Sequence, residues 1–510
     1  LRCPAQWRFL LPNNDGVQET FMSAKPFLLA APLALLLSGT SALALTADQV
    51  WTDLQALASE GGMAITAATE LREDGMIVLN GVNVGPAGEP AALTIAEMSI
   101  EGQDDGSVAF FPTDIKINAG PQGSVTVEDQ ELSVSVFEDE GGLGYAVFAD
   151  LLKIGFDFPS GSGAEAASTK GSVAFEALEA SYGRAADGMT VDLTAGRLAY
   201  DIAQVDPALM LDQAQTSETE SITLSGRLDL PEGVDLATLD APGAFTNALN
   251  AGLAMSLEMS QGLSRGTLND RSPMLPVSVT FEAQPATTAL GMDRVALSLR
   301  SEAPGLSAQV TPMGMSEAIP VSMDNLSFSF AMPVVAPEGG EYQFGMKLGN
   351  LVLGDAAWAM FDPSGSLPRE PADLSIDLGG QMKMDLAALM AADSTGATPP
   401  LPEPLTLELR ELGLKLAGAV FAGTGSFTFD NALLAMGGPP MPVGTADLRL
   451  EGGNRLIDAL IAAGLMTQED AMGARMMMAM FGQSAGDDVL TSKIEAREGG
   501  SIFVNGQQIQ

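Results

Sequence analysis

The feature that most constrains this chain is an alternation of apolar and polar residues that recurs along most of its length. In Leu132-Ser133-Val134-Ser135-Val136 every second side chain is apolar. Successive side chains of an extended strand point to opposite faces, so such a run has one greasy face and one wet one. The pattern appears at residues 76–82, 93–100, 124–127, 172–176, 189–193 and 222–230. It resumes at 255–259, 277–281, 296–300, 306–310, 326–330 and 342–353, then at 374–378, 405–409, 412–416, 426–429 and 446–450. Gly, Asn and Asp clusters separate the runs, as hairpin turns require. Few helical patterns long enough for parallel crossovers intervene. The expectation is an α+β fold, predominantly antiparallel β, with long meandering sheets in two related halves and a few peripheral helices.

The helices carry their own signals. Thr46 followed by Gln49 forms a capping box, and Val50, Leu54, Leu57 and Ala58 repeat at helical spacing before Gly61-Gly62. A short helix is expected over 242–253, with Asp240 near its start. Farther on, Asn454 is placed to cap a helix whose Leu456, Ile457, Leu460 and Ile461 share a face, closed by Gly464. A second helix of that pair starts at Thr467, with Asp470 three residues on, and carries Met472, Met476, Met477, Met478 and Met480. Strands at 492–496 and 501–504 follow, with turns at Gly499-Gly500 and Asn505-Gly506. The proline-rich stretch 397–404 reads as a stiff connector, because proline cannot donate to a ladder.

Met22-Ser-Ala-Lys25, an apolar run over 26–37 and Ser41-Ala42-Leu43-Ala44 have the layout of an export signal: a short basic region, an apolar region and a small-residue cleavage site. Cleavage is expected after Ala44, and residues 1–21 read as an over-extended start. The apolar run is too short to span a bilayer, and no later stretch reaches about 18 apolar residues. A periplasmic or secreted protein without an integral membrane span is the reading. The remaining chain divides into halves at 45–235 and 236–510, the second ending in the helix pair and a β-hairpin. The weak echo of Phe156-Asp157-Phe158-Pro159-Ser160-Gly161 in Phe361-Asp362-Pro363-Ser364-Gly365 fits that division.

What the sequence lacks narrows the chemistry. It has no histidine and one cysteine, Cys3, ahead of the cleavage site. Histidine-based triads and histidine or thiolate metal sites are therefore closed to the secreted chain. No cofactor and no metal site is expected. A net charge of −41 opposes nucleic-acid binding, which needs a basic face. Gly482-Gln483-Ser484-Ala485-Gly486 matches the G-x-S-x-G nucleophile elbow, but a helical pattern precedes it and no base exists to take the serine proton. It reads as the loop that ends a helix. Acidic pairs such as Asp104-Asp105 lack the spacing of a calcium loop and read as solvated turns.

Taken together, the exported leader with the helix at 46–60, the stretch 358–374, Gly464-Leu465-Met466-Thr467 and the ending at 499–507 resemble an exported Gram-negative family, domain of unknown function 2125. The resemblance extends over essentially all of the chain after the leader. It implies no activity, ligand or site residue. The residues themselves favour a non-enzymatic envelope protein that binds a lipid or acyl chain, or an envelope protein partner. Met472, Met476, Met477 and Met480 are the candidate contacts, since methionine adapts to variable apolar surfaces; packing in a core is the plainer alternative for them. An interaction scaffold with a packed interior is the second reading of function, and a carboxylate-based hydrolase the third.

Overall fold

A computed structural model describes residues 45–509, apart from 61, 87, 89, 121–122, 140–141, 161–166, 186, 235–238, 240–242, 274–275, 387 and 390–400. The expectations for 1–21, for the leader with Ala44, for Asp240 and for 397–400 fall outside the described residues.

Every described strand belongs to one antiparallel sheet, and each pairs with neighbours close to it in sequence. The chain simply walks back and forth, as the alternation and turn signals predict. The strands are much longer than the runs seen in the sequence: Gly142–Ser160, Ala167–Ala185, Gly188–Asp206, Leu211–Asp229 and Val335–Leu353 each have 19 residues. Between these long strands each traverse is made by two short strands laid end to end. Ala254–Gln261 and Ser264–Asp270, for example, both lie against Leu211–Asp229. The ladder therefore continues through the expected boundary between halves. Phe156 and Phe158 lie within a strand, whereas Phe361 ends a helix, so the echo between those segments does not mark equivalent positions.

The long strands outrun the sequence pattern because a crease crosses the sheet. Ala177 (φ 49) and Ser221 (φ 45) stand opposite Gly196, and Gly81, Asp114 and Asn350 take positive φ on the same line. At each crossing the side-chain alternation inverts. In the strand Gly188–Asp206 the apolar positions run Val191, Leu193, Ala195, and then Leu198, Tyr200, Ile202. A regular strand would put the second set on the wet face. Instead, Leu193 and Ala180 from one side of the crease share a cluster with Leu152 and Phe175 from the other. The sheet thus has two panels, and their apolar faces lie on one side.

Helices occupy the margins. α1 (Ala47–Glu60) begins at the expected capping box, with Gln49 N donating to Thr46 Oγ1 and Thr46 N donating to Gln49 Oε1. Its Val50 and Trp51 bury Ile77, Leu79, Met98 and Ile100 at the N-terminal end. α2 (Ala244–Ala251) packs Leu249 against Leu228, Met292 and Leu297. α3 (Asp355–Phe361) and α4 (Gly453–Ala462) meet around Trp358, Leu456 and Leu460. α5 (Gln468–Phe481) starts as expected, with Asp470 N donating to Thr467 Oγ1.

One cap differs from expectation. Asn454 lies inside α4; the carboxylate of Asp488, 34 residues away, accepts from Asn454 N and Arg455 N. A side chain from a hairpin tip replaces the local cap, a pairing that no local pattern carries.

Candidate functional site

The pairing register joins the apolar positions of separate strands into continuous lines. One begins at Val108 and passes through Val136, Tyr145, Tyr182, Val191, Gly226 and Leu257. It continues through Leu290, Leu299, Phe330, Phe344, Leu378 and Leu409. Gly425, Ala446, Ile494 and Val504 complete it. Seventeen strands each give one residue, and none of the seventeen is polar except at a tyrosine hydroxyl. At a strand spacing of about 4.8 Å, the line is roughly 77 Å long. A flanking line runs from Leu326 through Leu348, Leu374, Leu414 and Phe421 to Leu450.

Burial along this line divides it into two regimes. Val108 and Val136, in the cluster under α1, are 0% exposed, whereas Val191 is 42% exposed. Leu257, Leu290, Leu299, Phe330, Phe344 and Leu378 are all only half-buried. In a two-layer sandwich the inner faces interdigitate and such residues close off completely. Here the middle of the apolar face has no second layer.

The opposite face is wet and ion-paired. Arg197 bridges Glu176 (2.7 Å) and Glu218 (2.6 Å), and Arg265 bridges Glu220 (3.2 Å) and Glu282 (2.8 Å). Exposed pairs of this kind contribute only about 0–1 kcal/mol each. Their effect is to keep this side solvated and to disfavour the inverted register. A shallow depression of about 540 Å³ on this side is lined in part by Ser298, Ser327, Ser329, Arg300 and Glu302. The arginine there is neutralised by Glu302 at 2.6 Å.

The residues singled out in the sequence lie elsewhere. Met472, Met476, Met477 and Met480 sit on the outward side of α5, 57–68% exposed, and are not core. Met478 turns the other way and lies beside Gly453 of α4. Gly482 ends α5, but Gln483–Gly486 forms a short exposed strand against Val489–Arg497 in place of the expected loop, with Ser484 Oγ donating to Gly486 O. Asp362 is fully buried and organises the expected turn, accepting from Leu367 N (2.8 Å), Ser366 N (3.0 Å) and Ser364 Oγ (2.9 Å). Led by the Leu367 N–H, these bonds hold its carboxyl below the usual range against the opposing effect of burial. At Asp488 burial acts upward, and the bonds from Arg455 N and Asn454 prevail to lower it. Tyr145 donates to Asp53 of α1 at 2.7 Å, tying the helix to the apolar line; burial, then that carboxylate, raises the phenol strongly. Among the described residues, no cluster of three or more acidic or thiol side chains could hold a metal ion, and no helix is long and apolar enough to cross a membrane.

Fold and face together define a class: a single-layer, creased antiparallel meander with one uncovered apolar side. The chain belongs to domain of unknown function 2125, a family described as an uncharacterized protein conserved in bacteria, whose profile matches residues 237–502. That match covers the C-terminal half, a shorter span than the resemblance implied; the helix at 46–60 lies outside it. No curated protein and no solved structure matches the chain.

Proposed function

We propose that this protein is a non-enzymatic binder of hydrophobic ligands in the bacterial envelope, holding the acyl chain of a lipid against the apolar face. The observation that carries this reading is the contrast along one line of residues: closed at Val136, open at Val191. A scaffold with a packed interior would need the same side chains buried. Export, as read from residues 22–44, supplies an environment rich in acyl chains. Each buried methylene contributes about 0.8 kcal/mol, so a 16-carbon chain covered on one side gains about 6 kcal/mol before entropy is charged against it. That magnitude describes exchangeable binding. The exposed methionines of α5 favour a second reading, a hydrophobic protein segment as partner.

The test is solvent extraction and mass spectrometry of the purified protein, with a fluorescent fatty-acid titration of the delipidated form. Lipid in the extract, and affinity lost at least tenfold in Leu299→Asp/Phe330→Asp but retained in Arg300→Asp on the wet face, supports the proposal. A lipid-free extract with no fatty-acid binding refutes it.

A further inference from the structure

The strand Leu211–Asp229 changes character where it crosses the crease. On one side its inward positions are Ile222, Leu224, Gly226 and Leu228, all in apolar lines. On the other side the positions facing the same way are Gln213, Gln215, Ser217 and Thr219. The preceding strand keeps Leu198 and Ile202 on this panel; the next presents Ser264, Gly266, Leu268 and Asp270, and apolar residues return beyond it with Phe281 and Val279. A polar strand set into an apolar face forfeits burial free energy along about 20 Å of chain.

The polar groups there are ordered and retain hydrogen-bonding capacity. Gln215 Nε2 donates to Tyr200 Oη at 2.6 Å, which leaves the tyrosine proton free to donate and the glutamine carbonyl free to accept among the described residues. Thr219 and Ser264 hydroxyls, both buried, pair at 2.8 Å and share one proton while keeping one to give. Gln213 Nε2 donates to Asp270 at 2.8 Å. Lysine and arginine are missing from these facing positions, so nothing there pairs with an anion, and Asp270 repels one.

Building on the reading of the face as an acyl site, we infer that this patch is a headgroup subsite. The ligand is an amphiphile with an uncharged, hydroxyl-rich head. Its tail lies on the Leu224–Leu257 side of the crease and its head on Tyr200 and Gln215. Hydroxyl groups both donate and accept, which matches the mixed capacity of the patch; phosphate and sulfate only accept.

The probes are dodecyl maltoside, dodecyl phosphate and dodecanol, each below its aggregation concentration, titrated into the delipidated full chain by calorimetry. The maltoside is expected to bind at least tenfold tighter than the other two. In Tyr200→Phe/Gln215→Leu, which keeps shape and removes the free donor and acceptor of that pair, maltoside affinity falls about tenfold and dodecanol affinity stays unchanged. Dodecanol also reports that the variant is folded. Maltoside binding no tighter than dodecanol, or unaltered in the variant, overturns the subsite while leaving the acyl face standing. If no dodecyl compound binds, both readings fall.

Discussion

Truncating the apolar face should cost far less stability in its middle than at its covered end. Leu79 is 0% exposed beneath α1, so Leu79→Ala removes a fully packed side chain and leaves a closed cavity. Such changes cost about 2–5 kcal/mol. Leu299 is half-buried in a single layer and opens no closed cavity on truncation. Full burial of a leucine contributes about 1.5–3 kcal/mol, so Leu299→Ala should cost about 1 kcal/mol. The assay is urea unfolding followed by circular dichroism for both variants, with tryptophan fluorescence in a Trp358→Phe background for the first, because Trp51 is itself part of the covered cluster. The midpoint should fall sharply for Leu79→Ala and slightly for Leu299→Ala. Equal losses would mean that a second layer covers residue 299, and the reasoning from burial would fail.

Other expectations follow from single sites. Ala177→Gly should stabilise the sheet by about 1 kcal/mol and Ala177→Val should destabilise it, since a left-handed backbone penalises a side chain and a branched one most; thermal unfolding midpoints report both. Asp488→Ala should cost about 1–2 kcal/mol by stripping the N-terminus of α4, measured as faster amide exchange at Asn454 and Arg455. The carboxyls of Asp362 and Asp488 are held below their unfolded values, so their stabilising contribution is present above the ordinary carboxylate range and is lost as pH falls through the lowered values. An unfolding series from pH 6 downward should show stability declining in that acid window; a rise there would contradict the assignment. Met472, Met476, Met477 and Met480 should be oxidised by dilute peroxide well before the buried Met98, as read by peptide mass spectrometry.

Much of the fold was legible in the sequence because it is written locally. Thr46 with Gln49 and Thr467 with Asp470 are caps whose partners lie three residues away, and both form as read. Alternation gave the strands and the turns gave their antiparallel order. The lengths were hidden by the crease: a positive φ at Ala177 or Ser221 inverts the parity, and a reading by twos stops there although the strand continues. Asp488 as the cap of α4 was hidden by its distance in sequence. The candidate site was hidden for a deeper reason. Val136 and Val191 look alike in sequence, and only the placement of α1 makes one core and the other surface. The polar run Gln213, Gln215, Ser217 and Thr219 was visible, but its meaning depends on the apolar residues that face it across neighbouring strands.

The most direct test of the open apolar face, and of the acyl binding proposed for it, is thiol reactivity. Single cysteines at 257, 299 and 330 on the apolar side, and at 298 and 300 on the wet side, are placed in a chain whose Cys3 is replaced. Each is labelled with a small maleimide with and without palmitate. All five should react readily in the delipidated protein, and palmitate should protect 257, 299 and 330 alone. Unreactive cysteines at those three positions before any ligand is added, or labelling there that palmitate leaves unchanged, would contradict the account.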